Sequence, residues 1–106
     1  MKLNSYEVTI AAYEESMLDE EMVIFVREYH KIIVLNQTAV SIWKYILLCY
    51  ERNLDLDTSD IIRAISSEYV DSIPNETILS NDINEAIQLF FDSSLLLYSE
   101  KKGGEM

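Results

Sequence analysis

The chain has 106 residues and a mass of 12.3 kDa, enough for one hydrophobic core and too little for a separate catalytic domain beside it. It is 49% hydrophobic with only two glycines and one proline, the composition of a folded chain. Nineteen acidic residues stand against eight basic ones; the net charge of −11 repels phosphate backbones and anionic lipid and favours a cationic or neutral partner.

Tyr6 to Ala12 places Val8, Ile10 and Ala12 in alternation and predicts a first strand. Glu14 to Glu21, EESMLDEE, predicts an acidic connection. MVIFV at 22–26 predicts a second strand, and REYHK separates it from a third, IIVL at 32–35. Two β-rich runs this close predict a hairpin, although its turn lacks glycine.

The periodicity changes at Asn36. Four consecutive apolar residues end there, and apolar positions then recur at Ala39, Ile42, Trp43, Ile46 and Leu47, one helical stripe extended by Cys49 and Tyr50. Asn36 or Thr38 can cap this first helix. After ERNLDLDTSD, Thr58 or Ser59 can cap a second, with Ile61, Ile62, Ile65 and Tyr69 on its buried side. A third begins within residues 72–76, where Ser72 and Asn75 are candidate caps and Pro74 suits a first turn. Leu79, Ile83, Ala86, Ile87 and Phe90 form its stripe, and it ends near Asp92 to Ser94. Leu95 to Tyr98 then folds back as an extended segment, and residues 99–106 predict a flexible tail.

Strands followed by helices, with no βαβ alternation, predict one α+β domain over residues 1–98. A three-stranded antiparallel sheet followed by three helices, in a winged helix-turn-helix-like arrangement, is the natural small solution. MKLNSYEVTI lacks the apolar stretch of a secretory signal, a single cysteine cannot form an internal disulfide, and no apolar run is long enough to span a bilayer. These features predict a cytoplasmic protein that makes no membrane contact.

Catalysis finds little support. Cys49 sits on an apolar stripe and His30 in a turn, so no thiol lies beside a base. Asp55, Asp57 and Asp60 evoke a calcium loop, but Asp60 stands where its glycine belongs and Ser66 where its bidentate glutamate belongs. Neither a zinc spacing nor a glycine-rich phosphate loop is present, and no cofactor is expected. A winged helix suggests DNA only by analogy of fold. The stretch from Pro74 to Ser93 has no basic residue and carries Glu76, Asp82, Glu85 and Asp92, which argues against nucleic acid.

VLNQTAVSIW, together with DINEAIQLFFDSSLLL, resembles the PqqD-like family, also called the RiPP recognition element. Leu35, Asn36, Thr38, Ala39, Ile42 and Trp43 match its first block, and Asp82, Ile83, Ile87, Phe90, Leu95 and Leu96 its second. Three positions depart from the pattern. Gln37 replaces glutamate, Ala86 replaces a large apolar residue that would narrow a groove, and Ser94 replaces the glycine that ends the third helix in a left-handed conformation.

The resemblance implies a non-enzymatic module that holds the leader segment of a ribosomally made precursor peptide for a separate modifying enzyme, such as a radical or cyclising enzyme. The leader would add as a strand beside the third strand and rest against the third helix. On this chain the docking strand comprises Ile32, Ile33 and Val34. Ile83, Ala86, Ile87 and Phe90 share their stripe between core and ligand, with Asp82, Glu85 and Leu89 at its margin. The acidic margin favours a leader carrying lysine or arginine. Leu35, Ile42, Trp43 and Ile46 are expected in the core, Ile33 on the same face as Leu35, and Ile32 and Val34 opposite. Monomer and homodimer both fit. A winged-helix DNA-binding regulator and an unrelated protein-protein adaptor are the alternatives.

Overall fold

The computed structural model describes residues 1–68 and 76–98. Tyr69, Ser72, Pro74, Asn75 and the expected tail at 99–106 lie outside the described residues. The elements run β1 (Lys2–Leu3), β2 (Tyr6–Ile10), β3 (Tyr13–Leu18), β4 (Glu21–Val26), β5 (Lys31–Leu35), α1 (Gln37–Glu51), α2 (Thr58–Glu68), α3 (Glu76–Asp92) and β6 (Leu96–Tyr98). β3, β4 and β5 form a three-stranded antiparallel meander that the three helices follow, as expected of the α+β class.

The membership of that sheet differs from the sequence reading. The acidic run at 14–21 is not a connection: most of it is β3, paired along its length with β4 from Tyr13↔Val26 to Leu18↔Glu21. A two-residue turn, Asp19-Glu20, joins the strands, and Asp19 takes φ 57, which aspartate tolerates better than most residues. β3 hides its periodicity because nearly all its side chains are exposed; backbone pairing rather than burial holds it. Tyr13 is the exception, half-buried with its ring edge-on to Trp43 at 5.5 Å.

The strand expected at 6–12 is β2, which ends at Ile10 and belongs to a second sheet of order β1-β2-β6. There the extended segment after α3 becomes β6, with Ile10 opposite Leu96 and Val8 opposite Tyr98. The turn between β1 and β2 is Asn4-Ser5, both at positive φ, the signature of a tight two-residue hairpin. It also caps α2 from afar, since the Asn4 side-chain oxygen accepts from the Thr58 amide at 2.9 Å. Asp57 occupies the position before α2 and its amide donates to Asp60 Oδ2 at 3.1 Å. Thr58 therefore lies inside the helix rather than capping it.

One core joins both sheets to the helices. Leu35, Ile42, Trp43, Ile46, Ile61, Ile65, Ile83 and Phe90 are wholly buried within it. Each large side chain of this kind contributes about 1.5–3 kcal/mol relative to exposure. Trp43 stacks obliquely on Phe90 with ring centroids 5.4 Å apart, fixing α1 against α3. Its indole Nε1 is buried without a hydrogen-bond partner among the described residues. No helix among the described residues is long and apolar enough to cross a membrane.

Candidate functional site

The junction between β5 and α1 builds the site. Asn36 is the cap: its side-chain oxygen accepts from the Ala39 amide at 2.9 Å, and its carbonyl accepts from the Val40 amide at 2.8 Å. With no loop residue between strand and cap, Leu35 and Trp43 are both drawn into the core and the direction of β5 is fixed relative to the helical layer.

β5 pairs with β4 alone, so its other edge is open within the described sheet. The ladder shows which groups face that edge. The Arg27 amide donates to the Ala12 carbonyl on the β3 side, so the alternation of an antiparallel ladder turns Val26, Ile24 and Met22 toward β5. Their partners Lys31, Ile33 and Leu35 are thereby engaged, leaving the amide and carbonyl of Ile32 and of Val34 directed outward. The side chains of these two residues are also exposed, Ile32 at 66% and Val34 at 53%, whereas Ile33 at 8% points into the core. An additional strand would find two donors and two acceptors there.

A groove of about 310 Å³ lies between this edge and α3, lined by Val34, Asn36, Thr38 and Ala39 on one side and Asp82, Glu85, Ala86 and Leu89 on the other. The four α3 residues follow i, i+3, i+4, i+7 spacing and so share one flank of the helix. The core flank runs through Leu79, Ile83, Ile87 and Phe90, and only Ala86 serves both.

The structure therefore brings together Val34, Asp82, Glu85, Ala86 and Leu89 of the residues expected at the site. Ile32 sits beside them on the exposed face of the strand. Ile33, Ile83 and Phe90 are packed in the core, where their surfaces are already covered. Ile87, also part of the core, lines a separate hollow with Tyr6, Phe91 and Tyr98 rather than the groove. The sequence assigns Asn36 and Thr38 to the cap and Ala39 to the apolar stripe of α1, and none of the three to the docking site. The signal for their second role is the loopless junction itself, which sets a helix start at the mouth of any groove beside the strand.

Electrostatically the groove is one-sided. Asp82 and Glu85 are exposed and take part in no ion pair among the described residues, whose ion pairs lie elsewhere. Lys31 stands at the far end of α3 and donates to the Asp92 carbonyl at 3.3 Å. Cys49 is remote from the groove, and burial pushes its thiol above the usual range, so it offers no thiolate at neutral pH. Of the aspartates at 55, 57 and 60, two are occupied as local acceptors: Asp55 takes the Lys2 amide, and Asp60 takes the Asp57 amide and pairs with Arg63.

No protein-family model matches the chain, and no curated protein sequence matches it. Among solved structures, the chain is similar to one described as TbiB1 in complex with the TbiA(beta) leader peptide, with a TM-score of 0.61 over 94% of this chain and 98% of that one. The two sequences are 18% identical, so what they share is a fold, the α+β arrangement of an antiparallel sheet followed by helices that the order of elements predicts.

Proposed function

We propose that this chain is a leader-peptide recognition protein of the PqqD-like kind, which holds the leader of a ribosomally made precursor by strand addition and presents it to a separate modifying enzyme. The observation that carries this reading is the open β5 edge, with Ile32 and Val34 turned outward in both backbone and side chain, alongside a groove against α3. Support comes from the matched blocks VLNQTAVSIW and DINEAIQLFFDSSLLL and from a fold shared with a protein solved in complex with a leader peptide. The docking residues are then Ile32, Val34, Asp82, Glu85, Ala86 and Leu89, joined by Asn36, Thr38 and Ala39. Ile33, Ile83, Ile87 and Phe90 support the groove from the core.

The physics favours moderate affinity. Strand hydrogen bonds add about 1 kcal/mol net each, and apolar anchors against Val34 and Leu89 about 1.5–3 kcal/mol each. Less the cost of ordering a disordered leader, this corresponds to a dissociation constant on the order of micromolar. Holding the leader raises the effective concentration of the rest of the precursor at the enzyme, to about millimolar for a short flexible connection. Asp82 and Glu85 on the exposed flank of α3 would repel a phosphate backbone, which disfavours the DNA-binding alternative.

The test is a titration of the isotopically labelled chain with synthetic leader peptides of ribosomally made precursors. Amide shifts should concentrate at 31–39 and 82–89. Val34→Pro deletes one outward amide at a sheet edge, where proline is tolerated, and should leave a folded protein that no longer binds. Shifts confined to other surfaces, or full binding by Val34→Pro, would overturn the assignment.

A further inference from the structure

Strand addition alone leaves a register problem. The open edge offers only the backbone groups of Ile32 and Val34, which any sequence can satisfy, and a visiting strand that slips by two residues keeps the same faces and makes the same bonds. A side-chain anchor has to choose among these registers.

Resting on the reading above, we propose that Asp82 and Glu85 form the register-setting subsite, taking the head group of one lysine or arginine of the docking strand. Its aliphatic stem lies over Ala86 between Val34 and Leu89. Three observations carry this. The groove has the buried Ala39 and Ala86 at its floor with Val34 and Leu89 beside them, the polar Asn36 and Thr38 along one side, and two carboxylates one turn apart on α3, a pattern that matches a long side chain with an apolar stem and a cationic head. Ala86 is buried in that floor, and a larger residue there would fill the space the stem needs. Neither carboxylate has a cation of its own among the described residues, and two acids at i, i+3 repel each other until one is supplied. By contrast Asp92, on the same helix, is already engaged through its carboxylate by Gln88 at 2.9 Å and through its carbonyl by Lys31.

The two ends of α3 therefore differ in what they ask of a partner. Near Asp92 Lys31 supplies a cation, and near Asp82 none is paired with the carboxylates among the described residues. A basic residue placed at the Val34 and Asn36 level satisfies the second end, and an acidic one there meets two like charges.

The experiment is a selection from a displayed library of random twelve-residue peptides on the full chain, run in parallel on D82N/E85Q, on D82K/E85K and on D19N/E20Q. The last removes two acids from the β3–β4 turn and so lowers the overall charge equally without touching the groove. Aligned binders to the unaltered chain should show lysine or arginine enriched at least fivefold at one position. That preference should vanish on D82N/E85Q, turn to aspartate or glutamate on D82K/E85K and persist on D19N/E20Q. A peptide selected on the unaltered chain should bind D82N/E85Q at least tenfold more weakly. Peptides that bind the β5 edge with no such position, or with the same preference on D82N/E85Q, would overturn the subsite and leave the docking reading standing. Failure of the unaltered chain to retain any peptide would overturn both.

Discussion

Lys31 Nζ donates to the main-chain carbonyl of Asp92 at 3.3 Å, joining the first residue of β5 to the last residue of α3. The contact places a cation at the negative end of the helix dipole and satisfies one of the carbonyls a helix leaves without an internal partner. It also fixes how far the open edge stands from the helix that walls the groove. Sequence order alone separates the two residues widely; the antiparallel run of β5 beside α3 brings them together.

Lys31→Met keeps most of the stem and removes the donor. The bond is exposed, so the loss of stability should be small, about 0.3–1 kcal/mol, read from the urea midpoint at constant m-value. Affinity for a leader peptide should fall further than stability does, because the spacing of edge and helix is no longer held. Lys31→Arg should restore both. Equal binding by Lys31→Met and the unaltered chain would show that this tie does not shape the groove.

Ser94 takes φ 67 just beyond α3, with its amide donating to the Phe91 carbonyl at 3.0 Å. The serine therefore adopts the left-handed exit that glycine would take, and the departure from the family pattern changes the energy of that turn rather than its shape. Because a Cβ is disfavoured in this region, Ser94→Gly should stabilise the fold by about 0.5–1 kcal/mol. Chemical denaturation would show it as a higher midpoint, with no change in groove amide shifts. Ser94→Val, branched at Cβ, should destabilise.

How much of this was legible in the sequence depended on whether burial wrote a period into it. Ile42, Trp43 and Ile46 repeat at helical spacing because α1 has one covered face, and all three are wholly buried. β3 carries Glu14, Glu15, Ser16, Met17 and Leu18 in solvent, so no alternation marks it, and its one local sign is the Asp19 turn. β1 and β6 have two and three residues, too few for a period, and exist through their pairing with β2. The site was half legible for the same reason. The stripe on α3 was plain, but whether Ile83 or Asp82 meets a ligand depends on how far β5 stands from the helix. That distance is set by the Asn36 cap and by Lys31.

The buried thiol of Cys49 gives the fold a dependence on alkaline pH. Burial raises its pKa above the ordinary 9.0, a shift that the neighbouring Tyr45 hydroxyl opposes without reversing. From pH 9.0 upward the unfolded chain gives up its thiol proton while the folded chain retains it, so the unfolded state binds fewer protons and stability falls as pH rises. Tyr45 and Tyr13, both raised chiefly by burial, act in the same sense from their ordinary value of 10.0. The expected profile for these groups is flat between pH 7 and 8.5 and declines above 9.0, until the folded-state groups titrate in turn. Cys49→Ala leaves a small cavity and should cost about 1 kcal/mol at neutral pH. It should also move the onset of the alkaline decline toward 10.0, where the tyrosines remain. Urea midpoints measured at half-unit steps of pH would test this; an onset unchanged by Cys49→Ala would assign the decline to the tyrosines alone. A thiol reagent at pH 8 should label the native chain slowly and the urea-unfolded chain completely, since reaction needs both exposure and thiolate.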